Sequence, residues 1–232
     1  EEKKMNDFEN YQEINHVSRL DFFSKVMGYL ALGLGLSAIG ALAGNYMMPL
    51  LGQAYMFAML FFMAAELVLA FVIGRNLESR STAAVKGMFV AYSLVNGLTL
   101  SVILSVYTTA SVLMAFATTA VVFGSLCAIG RTTKVDLTRM GPFFMTGLVS
   151  CIILTIVNML FFRASGLDIA LCYIETLLFM GITVYDMQMI DRYYSQSESE
   201  NFAIFAALQL ELDFINLLIR VLEIFGVRRN DN

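Results

Sequence analysis

Seven apolar stretches follow one another along this chain, at about residues 22–44, 51–74, 83–106, 110–130, 138–162, 168–192 and 202–226. Each is long enough to cross the hydrocarbon core of a bilayer, which takes about 20 residues of α-helix. Inside lipid every backbone N–H and C=O must find its partner within the protein, so runs of this length predict helices. Charged residues make up only 15% of the 232 residues and hydrophobic ones 58%, whereas a soluble domain carries about 25% charged residues. The expected fold is therefore an all-α integral membrane protein with seven transmembrane helices over residues 22–226. A polar tail (1–21) precedes them and a short tail (227–232) follows, with no separate soluble domain.

The breaks between stretches carry breaker residues: Asn45 and Pro49 before the second, Gly141-Pro142 near the start of the fifth, Ser165-Gly166 before the sixth. In the first stretch Gly33 and Ser37, and Gly40 and Gly44, form small-x3-small pairs that let a neighbouring helix approach closely. Charge on the links gives an orientation. Arg75, Arg80, Lys86, Arg131, Lys134, Arg139 and Arg192 fall on the same side as the N-terminal tail, and only Arg163, Arg228 and Arg229 on the other. Basic links stay in the cytoplasm, so the N-terminus is expected there and the C-terminus outside, as seven crossings require. The first twenty residues are polar and acidic, unlike a signal peptide. Cys127, Cys151 and Cys172 lie in apolar runs and read as small buried hydrophobes. No basic patch points to nucleic acid, and no spacing of cysteine or histidine points to zinc or haem.

Two aspartates stand inside the last two stretches, Asp186 in GITVYDMQMI and Asp213 in LELDFINLLI. A carboxylate at membrane depth costs several kcal/mol unless it is paired or wetted, which makes such residues functional candidates. They are symmetric about the polar run Ser195–Asn201. If that run is the turn of a helical hairpin, both come to the same depth. A facing pair of buried carboxyls is a proton-sensitive element, a cation site, or the start of an aspartyl hydrolase. The seventh stretch also carries Gln209, Asn216, Arg220 and Glu223, which with Asp213 follow at steps of four, three, four and three on one helical face; Glu211 is off this stripe. Such a stripe cannot face lipid, so the helix is central or lines a wet cavity. Either neighbouring helices satisfy the stripe, or it is a pathway or gate. Glu175 lies eleven residues before Asp186 on the same face, about 16 Å along the axis, so the two read as stations on a cation or proton route. Tyr92, Asn96 and Thr99 share a face of the third stretch, and Asn158 stands in the fifth. Glu66 is buried in the second without an evident partner. Arg75 is near the depth of Asp186 and is a candidate counterion.

These residues resemble the Bax-inhibitor family, the transmembrane Bax-inhibitor-motif proteins, in its bacterial branch. The resemblance covers residues 20–229 and is most specific at Val184-Tyr185-Asp186-Met187-Gln188 and Leu212-Asp213-Phe214-Ile215-Asn216-Leu217, followed by Ile224-Phe225-Gly226. Weaker support comes from Leu100-Ser101, Tyr107–Ser111 and Thr132–Leu137. It implies six helices packed around a central seventh, and a pH-sensitive calcium leak gated by an aspartate pair that maps onto Asp186 and Asp213. It also implies links to cell-death control in eukaryotic members and to a membrane-bound protease in some bacterial ones. The chain departs from the family pattern at Glu211, where an aromatic is common, at Glu223, where a basic residue is common, and at Arg220.

A proton-gated cation channel or leak is the first functional expectation. Two carboxylates close together in low dielectric cannot both ionise cheaply, so the pair is expected to share a proton. Its loss would repel the two acids and draw in a counterion. Calcium takes about six to eight oxygens, so two aspartates imply weak or transient binding, with calcium the transported ion and no resident cofactor. The alternative is a non-conducting regulator that binds another membrane protein. An aspartyl protease is not expected: Leu210-Glu211-Leu212 precedes Asp213 instead of Gly-x-Gly, and no proline follows Pro142. The single histidine, His16, lies in the tail, away from any membrane-embedded chemistry. The expected partners are thus the lipid bilayer, calcium and protons, and the protein is expected not to be an enzyme.

Overall fold

The computed structural model describes residues 2–75, 77–197 and 199–229. Residues 230–232 of the C-terminal tail lie outside them, and for residues 2–17 only the helical course of the backbone is described. The order is α1 (Glu2–Leu51), α2 (Gln53–Ile73), a short turn of 3-10 helix (Leu77–Ser79), α3 (Thr82–Val106), α4 (Thr109–Thr132), α5 (Gly141–Val157) ending in a π-turn (Asn158–Phe162), α6 (Ser165–Gln196) and α7 (Glu200–Phe225). Among the described residues six helices are long and apolar enough to cross a membrane, and α2 carries a shorter apolar stretch, Phe57–Ile73.

The ends of the helices follow local chemistry. Ser81, Thr108 and Ser199 each take an N-cap position, their hydroxyls accepting backbone N–H groups of the first turn of α3, α4 and α7, which satisfies donors a helix leaves unpaired. The break expected at Asn45–Pro49 falls later. Pro49 is absorbed into the last turn of α1, and the chain turns at Gly52, whose φ of 50° only glycine adopts without strain. The tail expected to precede the first span is helical and continuous with it. At the α5–α6 link, Asn158 uses its side chain on the backbone of Ala164, donating to the carbonyl and accepting from the N–H, both at 3.1 Å. It therefore staples a link and offers no oxygen to the interior.

α7 is the enclosed helix. In its most apolar stretch 72% of the residues are buried, against 11% in α5. It is flanked along its length by α1, α3, α4 and α6. α2 leans on α3 and reaches α7 near Ile73 and Ile204, and α5 leans on α6. The arrangement is thus four helices about α7 with two outer ones, rather than an even ring of six. Small residues allow the close packing: Ala203, Ala206 and Ala207 are buried on α7. α1 and α3 touch backbone to backbone, since a Cβ on Gly40 would strike the Leu94 carbonyl and one on Gly97 the Ser37 carbonyl. Both glycines are required by this approach. Past α7, the chain runs back along the α3–α4 link, with Thr108 N–H donating to Val227 O (3.0 Å) and Arg229 N–H to Val106 O (2.9 Å).

Candidate functional site

The stripe on α7 opens onto a cavity of about 760 Å³ walled by α2, α3, α5, α6 and α7. Glu66, Glu175, Asp186 and Asp213 line it, with Arg220 the one cation among its lining residues. From Gln209 to Arg220 the lining runs eleven steps along α7, roughly 16 Å. The cavity exists because α7 presents polar side chains where α5, set back on α6, leaves room.

At its middle the carboxyls of Asp186 and Asp213 are in hydrogen-bonding contact, with the Thr183 hydroxyl beside Asp213. Both are buried, Asp213 at 2% exposure. The hairpin turn between Gln196 and Glu200 brings them level. A hydrogen bond between two carboxyls needs a proton between them. One oxygen of Asp213, Oδ2, is buried without a partner.

The neighbouring candidates fall into place around this pair. Gln209 accepts the Tyr193 hydroxyl (2.7 Å) toward the turn end. Asn216 donates back to the Leu212 carbonyl (2.8 Å) and lines the cavity. At the opposite end Arg220 pairs with Glu175 (2.6 Å) and with Glu223. Glu175 and Arg220 also line a second cavity of about 480 Å³, in which Glu223 lies. Their ion pair is therefore the partition between the two spaces. Glu223, expected on the same route, lies beyond this partition.

Arg75 does not serve as a counterion of Asp186. It is exposed, with its guanidinium over the Phe71 ring at 5.4 Å, and its carbonyl accepts from Arg80 Nε (3.2 Å). Depth fixed its height but not its direction: α2 ends at Ile73 and packs chiefly on α3, and the Arg75 side chain turns outward.

Two groups carry more of the interior than their sequence setting suggests. Glu211, off the expected stripe, is wholly buried, with its two carboxyl oxygens at hydrogen-bonding distance from the hydroxyls of Ser37 (2.8 Å) and Ser93 (2.9 Å). Glu66 has its partners on α3, the Asn96 amide (2.6 Å) and the Thr99 hydroxyl (2.9 Å). Asn96 and Thr99 thus bond across helices. The signal for Glu211 was available in the first stretch: Ser37 lies one turn beyond Gly33 on the face that meets it. Gln188, two residues after Asp186, clamps the α4–α5 link, accepting from Leu137 N–H and donating to Val135 O, both at 2.8 Å. Among the described residues no three acidic, histidine or cysteine side chains converge as a metal site.

Fold and cavity together define a multi-pass, all-α membrane protein with an acidic interior. Its kinship is equally definite. The chain belongs to the Bax inhibitor family: the family model described as "Inhibitor of apoptosis-promoting Bax1" matches residues 19–230. It is 37% identical to an uncharacterized protein of Borreliella burgdorferi, over 90% of this chain and 93% of that one. It is 34% identical to "Inner membrane protein YbhL" of Escherichia coli K12, over 90% and 92%. An uncharacterized membrane protein of Streptococcus pyogenes serotype M1 is 33% identical over 98% of this chain and all of the relative.

Proposed function

We propose that the protein is a pH-sensitive cation leak, with calcium as the transported ion and the Asp186–Asp213 pair as its gate. The observation that carries the reading is the hydrogen-bonded carboxyl pair in the wall of a large cavity whose four acids face a single arginine. Loss of the shared proton adds negative charge where the dielectric is low, drives the carboxyls apart and favours a cation between them. Two aspartates suit a passing ion better than a stored one. Glu66 and Glu175 extend the acidic lining, and Arg220 stands at the partition toward the C-terminal end.

The chain crosses a bacterial cytoplasmic membrane seven times in this reading, α2 included, with the N-terminus in the cytoplasm. The inner-membrane name of the Escherichia coli relative and the distribution of basic residues on the links support this. In this reading the role is that of a conduit and not of an enzyme.

Calcium flux into liposomes holding only the purified protein, across mildly acidic to mildly basic pH, tests the proposal. Asp186→Asn and Asp213→Asn keep shape and hydrogen bonding but remove a titrating group, and each is expected to flatten or shift the pH profile. Glu78→Gln, in the link after α2, is expected to leave it alone. An unchanged profile in both aspartate variants would make the pair structural.

A further inference from the structure

Glu211 sits at the junction of α1, α3 and α7, on the side of α7 away from the aspartate pair. Its carboxyl is fully enclosed, and no ion pair joins it to a lysine or arginine among the described residues. α1 makes room for it: a Cβ on Gly33 would fall on the Glu211 carboxyl and the Phe89 ring. The titratable groups that face it are Glu66 from α2 and Tyr92 from α3, whose buried hydroxyl has no partner. α4 and α6 present Cys127 and Asp186 to Asp213 instead.

The hydrogens around this carboxyl can be counted. Ser37 Oγ lies 2.8 Å from Glu211 Oε1, 2.8 Å from the Ser93 carbonyl and 3.4 Å from Asn96 Oδ1, all acceptors. It owns one hydrogen. Ser93 Oγ lies 2.9 Å from Glu211 Oε2 and spends its hydrogen there. With an ionised Glu211, the Ser37 hydrogen goes to one 2.8 Å neighbour and leaves the other as two bare oxygens in contact. With a protonated Glu211, all three of the contacts under 3 Å close. The acid donates to Ser37 Oγ, Ser37 donates to the Ser93 carbonyl, and Ser93 Oγ donates to the second acid oxygen. An ionised carboxylate sealed from water without a cation is also the costliest state available to such a site.

We propose that Glu211 is a proton-binding site separate from the aspartate pair, occupied in the folded protein at neutral pH, and that its proton fastens α1 and α3 onto α7. The site stands independently of the leak reading, since none of its groups belongs to the gate.

Infrared spectroscopy of the purified protein in lipid tests it, because a protonated carboxylic acid and a carboxylate absorb at separate positions. The difference between the unaltered protein and Glu211→Gln at neutral pH is expected to show loss of a protonated-acid carbonyl band, equal in sodium and in choline buffer. The aspartate pair is common to both samples and cancels. Ser37→Ala, which removes the acceptor of the acid proton, is expected to shift that band without abolishing it. Gly33→Ala, which displaces the carboxyl, is expected to shift it as well. Loss of a carboxylate band instead would overturn the proposal. So would a protonated band present only in choline, which would make the cradle a sodium site. A band unmoved by Ser37→Ala would overturn the hydrogen-bond chain.

Discussion

Arg220 shows how a single side chain sets the boundary of the interior. It holds Glu175, itself 7% exposed, and Glu223 at once. Removing one partner of a buried pair leaves the other charge unpaired, so Arg220→Gln is expected to lower unfolding stability by about 3 kcal/mol. Thermal melting in detergent measures this, and the double variant with Glu175→Gln is expected to recover much of the loss. A second residue acts outside the membrane. Asp136, on the α4–α5 link, accepts the Thr138 N–H (2.9 Å) and hydroxyl (2.6 Å). These bonds hold its carboxyl below the usual aspartate range. A depressed carboxyl stabilises its link above the ordinary aspartate range and ceases to as pH falls through the depressed value. The Thr138 amide resonance should titrate there, and Asp136→Ala should abolish the titration. The sequence made Asp186, Asp213 and the stripe legible because charge inside an apolar run is conspicuous. Arg75 misled because helix depth carries no azimuth. For Glu211 the Gly33–Ser37 face was the available signal, but nothing in the chain ties that face to Glu211, since Ser37 and Ser93 lie 174 and 118 residues away along it.

At the scale of elements, each apolar run fell on a helix, six of them long and apolar enough to span a membrane and α2 shorter in its apolar stretch, since the bilayer length and the 3.6-residue period leave little freedom. The ends were less legible. Pro49 reads as a breaker, yet in a last turn it costs one backbone bond and the helix runs on to Leu51. The division of α7's neighbours into four close and two outer helices depends on which side chains are small at each crossing, which no single run displays. Glycines give the sharpest test of those crossings. A Cβ on Gly97 would strike backbone atoms of Ser37 and Ala41, whereas one on Gly35 would meet nothing within 4 Å. Gly97→Ala is therefore expected to destabilise by about 1–3 kcal/mol. Gly35→Ala, on an exposed helical face, is expected to stabilise by roughly 0.5–1 kcal/mol. Thermal melts of the two variants side by side decide it.

For the whole molecule, the decisive question is which end faces the cytoplasm. Cysteines placed at Ser79 and Ser197 should resist an impermeant reagent applied from outside, while one added after Asn232 should react. Labelling of the first two and not the third would invert the bundle. The Gly40–Gly97 crossing has a mechanical meaning within that bundle. Two backbones in contact have no intervening side chains to change rotamer, so neither helix can slip or roll past the other without lifting apart. α1 and α3 form a rigid strut. In the leak proposed above, any widening of the cavity is therefore a displacement of the other helices against this strut, and a cross-link that fixes α1 to α3 is expected to leave conduction intact.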